Sequence, residues 1–238
     1  MEQPEPITVR WLGRIGYREA WQLQKELVDQ RAAGEIGDQL LLLEHEPVLT
    51  LGRQADDRHV LASPKELTRR GIEVIRVERG GEVTYHGPGQ LVAYPIVALS
   101  RRGLLLRPLV RALEAAMIET CARLGVEAIR REGHPGCWID GGPNRPFRKI
   151  GALGLRIERG VSYHGIALNV DVDLRDFDLI DPCGEPGLIS TSIAEELGRS
   201  AEPPTTREVE RAGGIFVEAF ASVIDAPVAW PEAAAVGA

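Results

Sequence analysis

Two periodicities of apolar positions run along this chain. Ile7 to Leu12 has the alternation of a strand. From Tyr17 to Ala33 apolar residues return every three or four positions, with Tyr17, Ala20, Trp21, Leu27 and Val28 on one helical face and Gly34 as the stop. Gln39 to Leu43 reads as a buried strand that runs into the loop Glu44–Pro47. Ser63-Pro64-Lys65-Glu66 is a capping box with proline at the first helical position, so a short helix starts there. Ile72 to Val77 predicts a strand, Gly80 to Gly89 a glycine-rich turn, and Leu91 to Val97 a further strand. The strongest helix pattern is Pro108 to Leu124, with Leu109, Leu113, Met117 and Leu124 sharing a face and Gly125 ending it. Strand-like segments follow at Cys137–Ile139, Ile150–Ile157 and Ser162–Val170. A second capping box, Ser192 to Glu195, opens a helix closed by Gly198, and Thr205 to Glu208 opens the last helix, which carries Val209, Phe216 and Val223 inward. Strands and helices mix without steady alternation. That predicts an α+β fold, a central mixed sheet with flanking helices, over a doubly wound parallel one.

The 238 residues are 44% hydrophobic and 26% charged, which is the composition of a globular protein long enough for a full core. They fit a single domain over 1–238, with a core from about 7 to 224 and a loosely ordered tail over 225–238. The acidic start, MEQPEPITVRWLG, lacks the apolar stretch of a signal peptide, and the run Leu40–Leu43 is far too short to span a membrane. The expectation is a soluble, cytoplasmic protein. A net charge of -7 argues against a nucleic-acid partner, and three cysteines do not make a disulfide framework. Of 28 basic residues only Lys25, Lys65 and Lys149 are lysine. Arginine stays charged where a lysine can lose its proton, so a lysine retained in such a chain is a candidate for chemistry. Lys25 and Lys65 sit on helical surface patterns; Lys149 does not.

Cys121 falls at helical spacing with Met117 and Leu124, and Cys137 lies in the strand-like run Gly136–Ile139; both read as packing. His134 before Cys137 could form half of a metal site, but no second pair accompanies it and no metal is expected. Cys183 stands apart, in the proline- and glycine-rich loop Ile180–Gly187, where packing does not explain it and a reactive thiol is an open alternative. Lys149 opens a strand with glycines at Gly151 and Gly154, where a ligand or another backbone approaches. An ammonium about 4 Å from a thiolate is worth roughly 4 kcal/mol at an effective dielectric of 20. Arg79 to Gln90 is neither a P-loop nor a dinucleotide fingerprint, and reads as a glycine-rich hairpin or as backbone close to a substrate beside His86. His164, in Tyr163–Asn169, is either a base for a cysteine or a satisfied core histidine.

Together, the segments His45–Arg53, Arg79–Gln90, Lys149–Gly154, Tyr163–Asn169 and Asp181–Gly184 closely resemble the lipoyl(octanoyl) transferases, in order and spacing, over most of Val9 to Phe220. The resemblance implies a fold like the biotin and lipoate protein ligases. It also implies the reaction: an octanoyl group passes from octanoyl-acyl carrier protein to a lysine of a lipoyl domain, the first step of protein lipoylation. It implies Cys183 as nucleophile and Lys149 as its partner. The acyl site would be lined by Arg79, Gly80, Gly81, Glu82, Val83, Thr84, Tyr85 and His86, by Ala152, Leu153 and Gly154, and by Gly165, Ile166 and Ala167. No cofactor follows from it, because a thioester donor is already activated. The partners it implies are acyl carrier protein as donor, and as acceptors the lipoyl domains of 2-oxoacid dehydrogenase complexes and the glycine cleavage H protein. Residues 133–148 look individual, with Cys137 where an aliphatic residue is expected and Gly141–Asn144 reading as an insertion. Two other classes compete: an ATP-dependent lipoate or biotin ligase, which needs no Cys183, and a non-catalytic lipoyl-domain binder, which needs neither residue. For docking of an acidic carrier the expected surface is Arg101, Arg102, Arg107, Arg111, Arg145 and Arg148.

Overall fold

The computed structural model describes residues 5–143, 145–199 and 205–231. In chain order its elements are β1 (Ile7–Ile15), α1 (Tyr17–Ala33), β2 (Gln39–His45), β3 (Val48–Leu51), α2 (Pro64–Arg70), β4 (Glu73–Arg76), β5 (Val83–His86), β6 (Gln90–Ile96), α3 (Leu106–Arg123), β7 (Ile129–Arg131), β8 (His134–Ile139), β9 (Arg148–Glu158), β10 (Val161–Asn169), β11 (Ile189–Ser190), α4 (Ile193–Glu196), α5 (Thr206–Val223) and β12 (Val228–Ala229). The main sheet runs β12-β1-β2-β6-β10-β9-β8-β7, with β11 beside β9. β1 lies parallel to β12 and β2, β11 is parallel to β9, and the other pairs are antiparallel. A small second sheet has the order β4-β3-β5. This is the mixed sheet with flanking helices that the sequence pattern predicts.

Strand periodicity explains the layering. In the run Leu40–Leu43, Leu40 and Leu42 join the core under α3 and α5, while Leu41 and Leu43 join the core under α1. Successive side chains of a strand point to opposite faces, so a continuous apolar run is what a strand covered on both sides requires. α1 supplies Ala20, Leu27 and Val28 to one side, and α5 supplies Val209, Phe216 and Phe220 to the other. A third cluster joins the small sheet to the segment before Cys183, through Leu49, Leu51, Val83, Tyr85, Phe177 and Leu179. Each buried side chain of this size contributes roughly 1.5–3 kcal/mol. Caps end the helices where expected: Gly34 closes α1 in a left-handed conformation, and Ser63 accepts from the Glu66 amide at the start of α2.

Several expectations are corrected. The stretch Gly80–Gly89 is not only a turn, because Val83–His86 pairs with β3. α3 starts at Leu106, before Pro108. Val223 is half exposed rather than inward, since it lies on the last turn of α5, past Phe220. Within the tail from 225, Val228 and Ala229 pair with Ile7 and Thr8, and residues 232–238 lie outside the described residues. Among the described residues no helix is long and apolar enough to cross a membrane.

Candidate active site

Lys149 sits one residue inside β9, and Cys183 in a single turn, Pro182–Gly184, that follows the small-sheet cluster. They are 34 residues apart, yet Lys149 Nζ lies 3.0 Å from Cys183 Sγ. The chain after Cys183 returns to β9 and makes this contact: Ser190 pairs with Lys149, and the Thr191 amide donates to the Lys149 carbonyl (2.9 Å). Lys149 is buried, and its ammonium also stands 4.8 Å from the centre of the Trp138 ring, an aromatic face that favours a positive charge. Cys183 is half-buried, whereas Cys121 and Cys137 are wholly enclosed in the main core, as packing residues should be. The hydrogen bond with the neighbouring Cys121 thiol, and then burial, push Cys137 far up, so it stays a neutral thiol.

Both residues open onto a cavity of about 420 Å³. Its walls include Arg79, Gly80, Gly81, Glu82, Val83, Thr84 and His86 from the glycine-rich segment, Ala152, Leu153 and Gly154 from β9, and Gly165, Ile166 and Ala167 from β10. Tyr85 is the exception: its neighbours in β5 face the cavity, so strand alternation turns its ring the other way, against Phe177. The walls meet closely. A Cβ on Gly154 would stand 2.8 Å from the Gly80 carbonyl oxygen, and one on Gly165 2.0 Å from that of Ala93. No side chain fits at either position. Leu106 and Val110 of α3 complete an apolar wall.

The other wall is polar and buried. Arg79 is buried and donates to the Thr50 carbonyl (2.6 Å), the Thr50 hydroxyl (2.9 Å) and the Gly80 carbonyl (3.0 Å); burial pulls it below its ordinary value. His86 donates from Nδ1 to Gln90 Oε1 (2.7 Å), because the Gln90 amide nitrogen already donates to Asn169 Oδ1 (2.9 Å) and the Tyr85 carbonyl (3.2 Å). Asn169 passes the network on to the Thr191 carbonyl (2.8 Å), beside the lysine. His45 donates to the Ile15 carbonyl (3.1 Å) and accepts from the Tyr94 hydroxyl (2.7 Å). His164, in a left-handed conformation with φ 54, stacks on Tyr163 and meets the Tyr17 hydroxyl at 3.5 Å. Burial pushes His45 down to about 4, His164 down to about 3, and His86 well below the usual range. All three are therefore neutral at pH 7. His164 hydrogen-bonds within the core rather than to Cys183, whose basic neighbour is Lys149.

Sequence reasoning did not single out Trp138, Glu114, Gln90 or Asn169 as parts of this site. Glu114 is buried in α3 and accepts from the Gly136 amide (3.1 Å), next to Lys149. The one available signal was a carboxylate on the apolar face of a helix, three residues before Met117. His134 does not join Cys137 as a ligand pair; its Nδ1 donates to Glu185. Of the arginines expected for docking, Arg102 is tied to Asp38, Arg111 to Glu114 and Arg148 to Glu196. These pairings offset their charges in part, and the Arg111 side chain stays 64% exposed.

Comparison with known proteins addresses the chain as a whole. A model of the lipoyl protein ligase A/B catalytic domain matches residues 16–216. An octanoyltransferase of Chloroflexus aurantiacus is 48% identical over 216 residues, covering 90% of this chain and 94% of that protein. One from Acidobacterium capsulatum is 50% identical over 204 residues, covering 83% and 82%. Among solved structures, a chain from an archaeal lipoylation system of Thermoplasma acidophilum, a bi-partite lipoate protein ligase and its E2 lipoyl domain, superimposes with a TM-score of 0.64 at 14% identity, covering 98% of this chain and 87% of that one. Biotin protein ligase from Aquifex aeolicus, in complex with biotin and ATP, does so with a TM-score of 0.51 at 12% identity, covering 92% and 70%. At these identities the structural likeness speaks for the fold alone.

Proposed function

The chain belongs to the lipoyl protein ligase A/B catalytic domain family and within it to the octanoyltransferases, and on that premise we propose that it moves an octanoyl group from octanoyl-acyl carrier protein to a lysine of lipoyl domains through a thioester on Cys183. The observation that carries this reading is the 3.0 Å contact between Lys149 Nζ and Cys183 Sγ at the edge of a cavity with an apolar wall. A cysteine thiolate attacks the donor thioester carbonyl, and the carrier thiol leaves with a proton from the Lys149 ammonium. The acceptor amine then attacks the acyl-cysteine, returns a proton to Lys149 and releases the Cys183 thiolate. Each half exchanges one acyl bond for another, so no nucleotide is consumed. The fold also serves ATP-dependent ligases, but those have no use for a cysteine at this place. The whole chain acts as one catalytic domain in the cytoplasm. The acceptors are lipoyl domains of 2-oxoacid dehydrogenase complexes and the glycine cleavage H protein.

The test is an intact mass after mixing with octanoyl-acyl carrier protein. Wild type gains one octanoyl group that hydroxylamine removes, and Cys183→Ala gains none. Retention of the acyl mass by Cys183→Ala would overturn the assignment, and an absolute requirement for ATP would move the protein to the ligase class.

A further inference from the structure

Cys183 occupies a conformation that a non-glycine residue does not hold unaided, with φ 60 and ψ 14. Local bonds account for little of it. The Gly184 amide donates to the Asp181 carbonyl (2.9 Å) and the Glu185 amide to the Pro182 carbonyl (3.1 Å), which closes a single turn. Strained backbone of this kind persists where its surroundings over-determine it. One surrounding wall is the segment of His59, whose carbonyl accepts from the Asp181 amide (2.8 Å) and whose ring, with Glu82, packs on Gly184. The other is β8.

There, His134 Nδ1 donates to Glu185 Oε1 at 3.0 Å, tying the first residue of β8 to the nucleophile's own turn. The same residue holds Trp138: the indole donates to the His134 carbonyl (2.9 Å), and the two rings meet edge to face with centroids 6.0 Å apart. Trp138 is the register partner of Lys149 across β8 and β9 and carries its ammonium over the ring. The contacts form a closed circuit: Cys183 to Lys149, Lys149 to Trp138, Trp138 to His134, His134 to Glu185, and Glu185 back along the chain to Cys183. The charged groups around it include Arg131 of β7, over the Trp138 ring at 5.1 Å, Glu114 of α3, holding the Gly136 amide, Lys149 of β9, Glu82 against Gly184, and Arg79, whose guanidinium acts electrostatically on Cys183.

We propose that His134 is a positioning residue for the Cys183–Lys149 pair, holding the cysteine's turn through Glu185 and the lysine's aromatic neighbour through Trp138. The proposal rests on the reading of these two residues as the reacting pair. Side chains of His134 and Glu185 remain 34% and 42% exposed, and a pair that open to water adds little to global stability. Its removal therefore leaves the fold standing and loosens the turn.

The experiment measures alkylation of Cys183 by iodoacetamide in the full chain, at pH 7 and pH 10, together with the melting temperature. The thiolate is the form that reacts. With the lysine contact loosened, the rate at pH 7 falls about tenfold in His134→Ala, while the rate at pH 10 and the melting temperature hold. His134→Asn, which keeps a donor near the place of Nδ1, recovers most of the loss. Glu185→Ala, which removes the acceptor at a half-exposed position, reproduces the loss, and the double variant adds nothing further. A pH 7 to pH 10 rate ratio equal to wild type in both Glu185→Ala and His134→Ala overturns the proposal. So does a fall at both pH values that tracks a lowered melting temperature. Failure of the acyl-mass experiment would instead remove the chemistry assigned to Cys183, and the rate ratio would still report whether His134 holds the pair.

Discussion

Lowering the pH from 7 to 5 removes about 4 kcal/mol of stability through His45 and His164, and His86 adds to the loss in the same direction. His45 and His164 are pushed down to about 4 and about 3 by burial. Burial drives His86 the same way, well below the usual range, with the nearby Arg79 guanidinium adding to it. In the unfolded chain each imidazole takes up its proton near pH 6.5, while in the folded chain His45 and His164 stay neutral until about pH 4 or below. Between these values the unfolded state binds more protons, so stability falls as pH falls, by up to about 1.4 kcal/mol per pH unit for each histidine. Integrated from pH 7 to 5, His45 and His164 each contribute about 1.9 kcal/mol. The depressed carboxylates Asp173 and Glu196, held down mainly by Arg175 and Arg148, lose their contribution lower on the scale. The total approaches the lower end of the whole stability of an ordinary domain, roughly 5–15 kcal/mol. Urea unfolding followed by circular dichroism at pH 7, 6, 5.5 and 5 measures it. His45→Gln, which can still donate to the Ile15 carbonyl, removes about 1.9 kcal/mol of the pH-dependent loss. A loss below about 2 kcal/mol over the interval would show that at least one of His45 and His164 takes up a proton in the folded state, and the buried polar wall would be wrong.

Lys149→Arg is expected to slow acyl transfer by about two to four orders of magnitude in single-turnover assays, nearly as much as Lys149→Ala, because a guanidinium does not pass the proton on. Near-normal turnover would reduce Lys149 to a fixed charge. Asp38→Ala removes the buried partner of Arg31, which donates to it at 2.6 Å, leaving that guanidinium with Glu5 and the Ile36 carbonyl, and also frees Arg102 from Asp38. The expected cost is about 3–5 kcal/mol in urea melts, and a change under about 1 kcal/mol would show that water reaches the arginine. Gly165→Ala drives a methyl into the Ala93 carbonyl, so β10 must move off β6; the melting temperature drops and acyl-enzyme formation is lost. An unchanged acylation rate in that variant would mean that the cavity tolerates the shift.

What the sequence determined by itself is whatever short-range physics sets. Gly34 stops α1 because its αL conformation is local, and Ser63 starts α2 because its hydroxyl reaches an amide three residues on. The run Leu40–Leu43 implies a strand covered on both faces before either cover is known. The segment resemblance likewise pointed to Cys183 and Lys149, since both sit in motifs that survive as strings. Short strands escaped notice: β3, β5 and β7 are three or four residues long, too short for a period to register. Tertiary structure alone decided the rest. Whether Val223 is inward depends on where α5 leaves the sheet, and which arginines are free depends on Asp38, Glu114 and Glu196 arriving from distant elements. Trp138 lies beside Lys149 only because β8 pairs with β9 in that register, and Cys183 reaches Lys149 only because β11 returns to β9. Such contacts join residues far apart in sequence, and no local pattern encodes a distance between two points that the fold must first bring together.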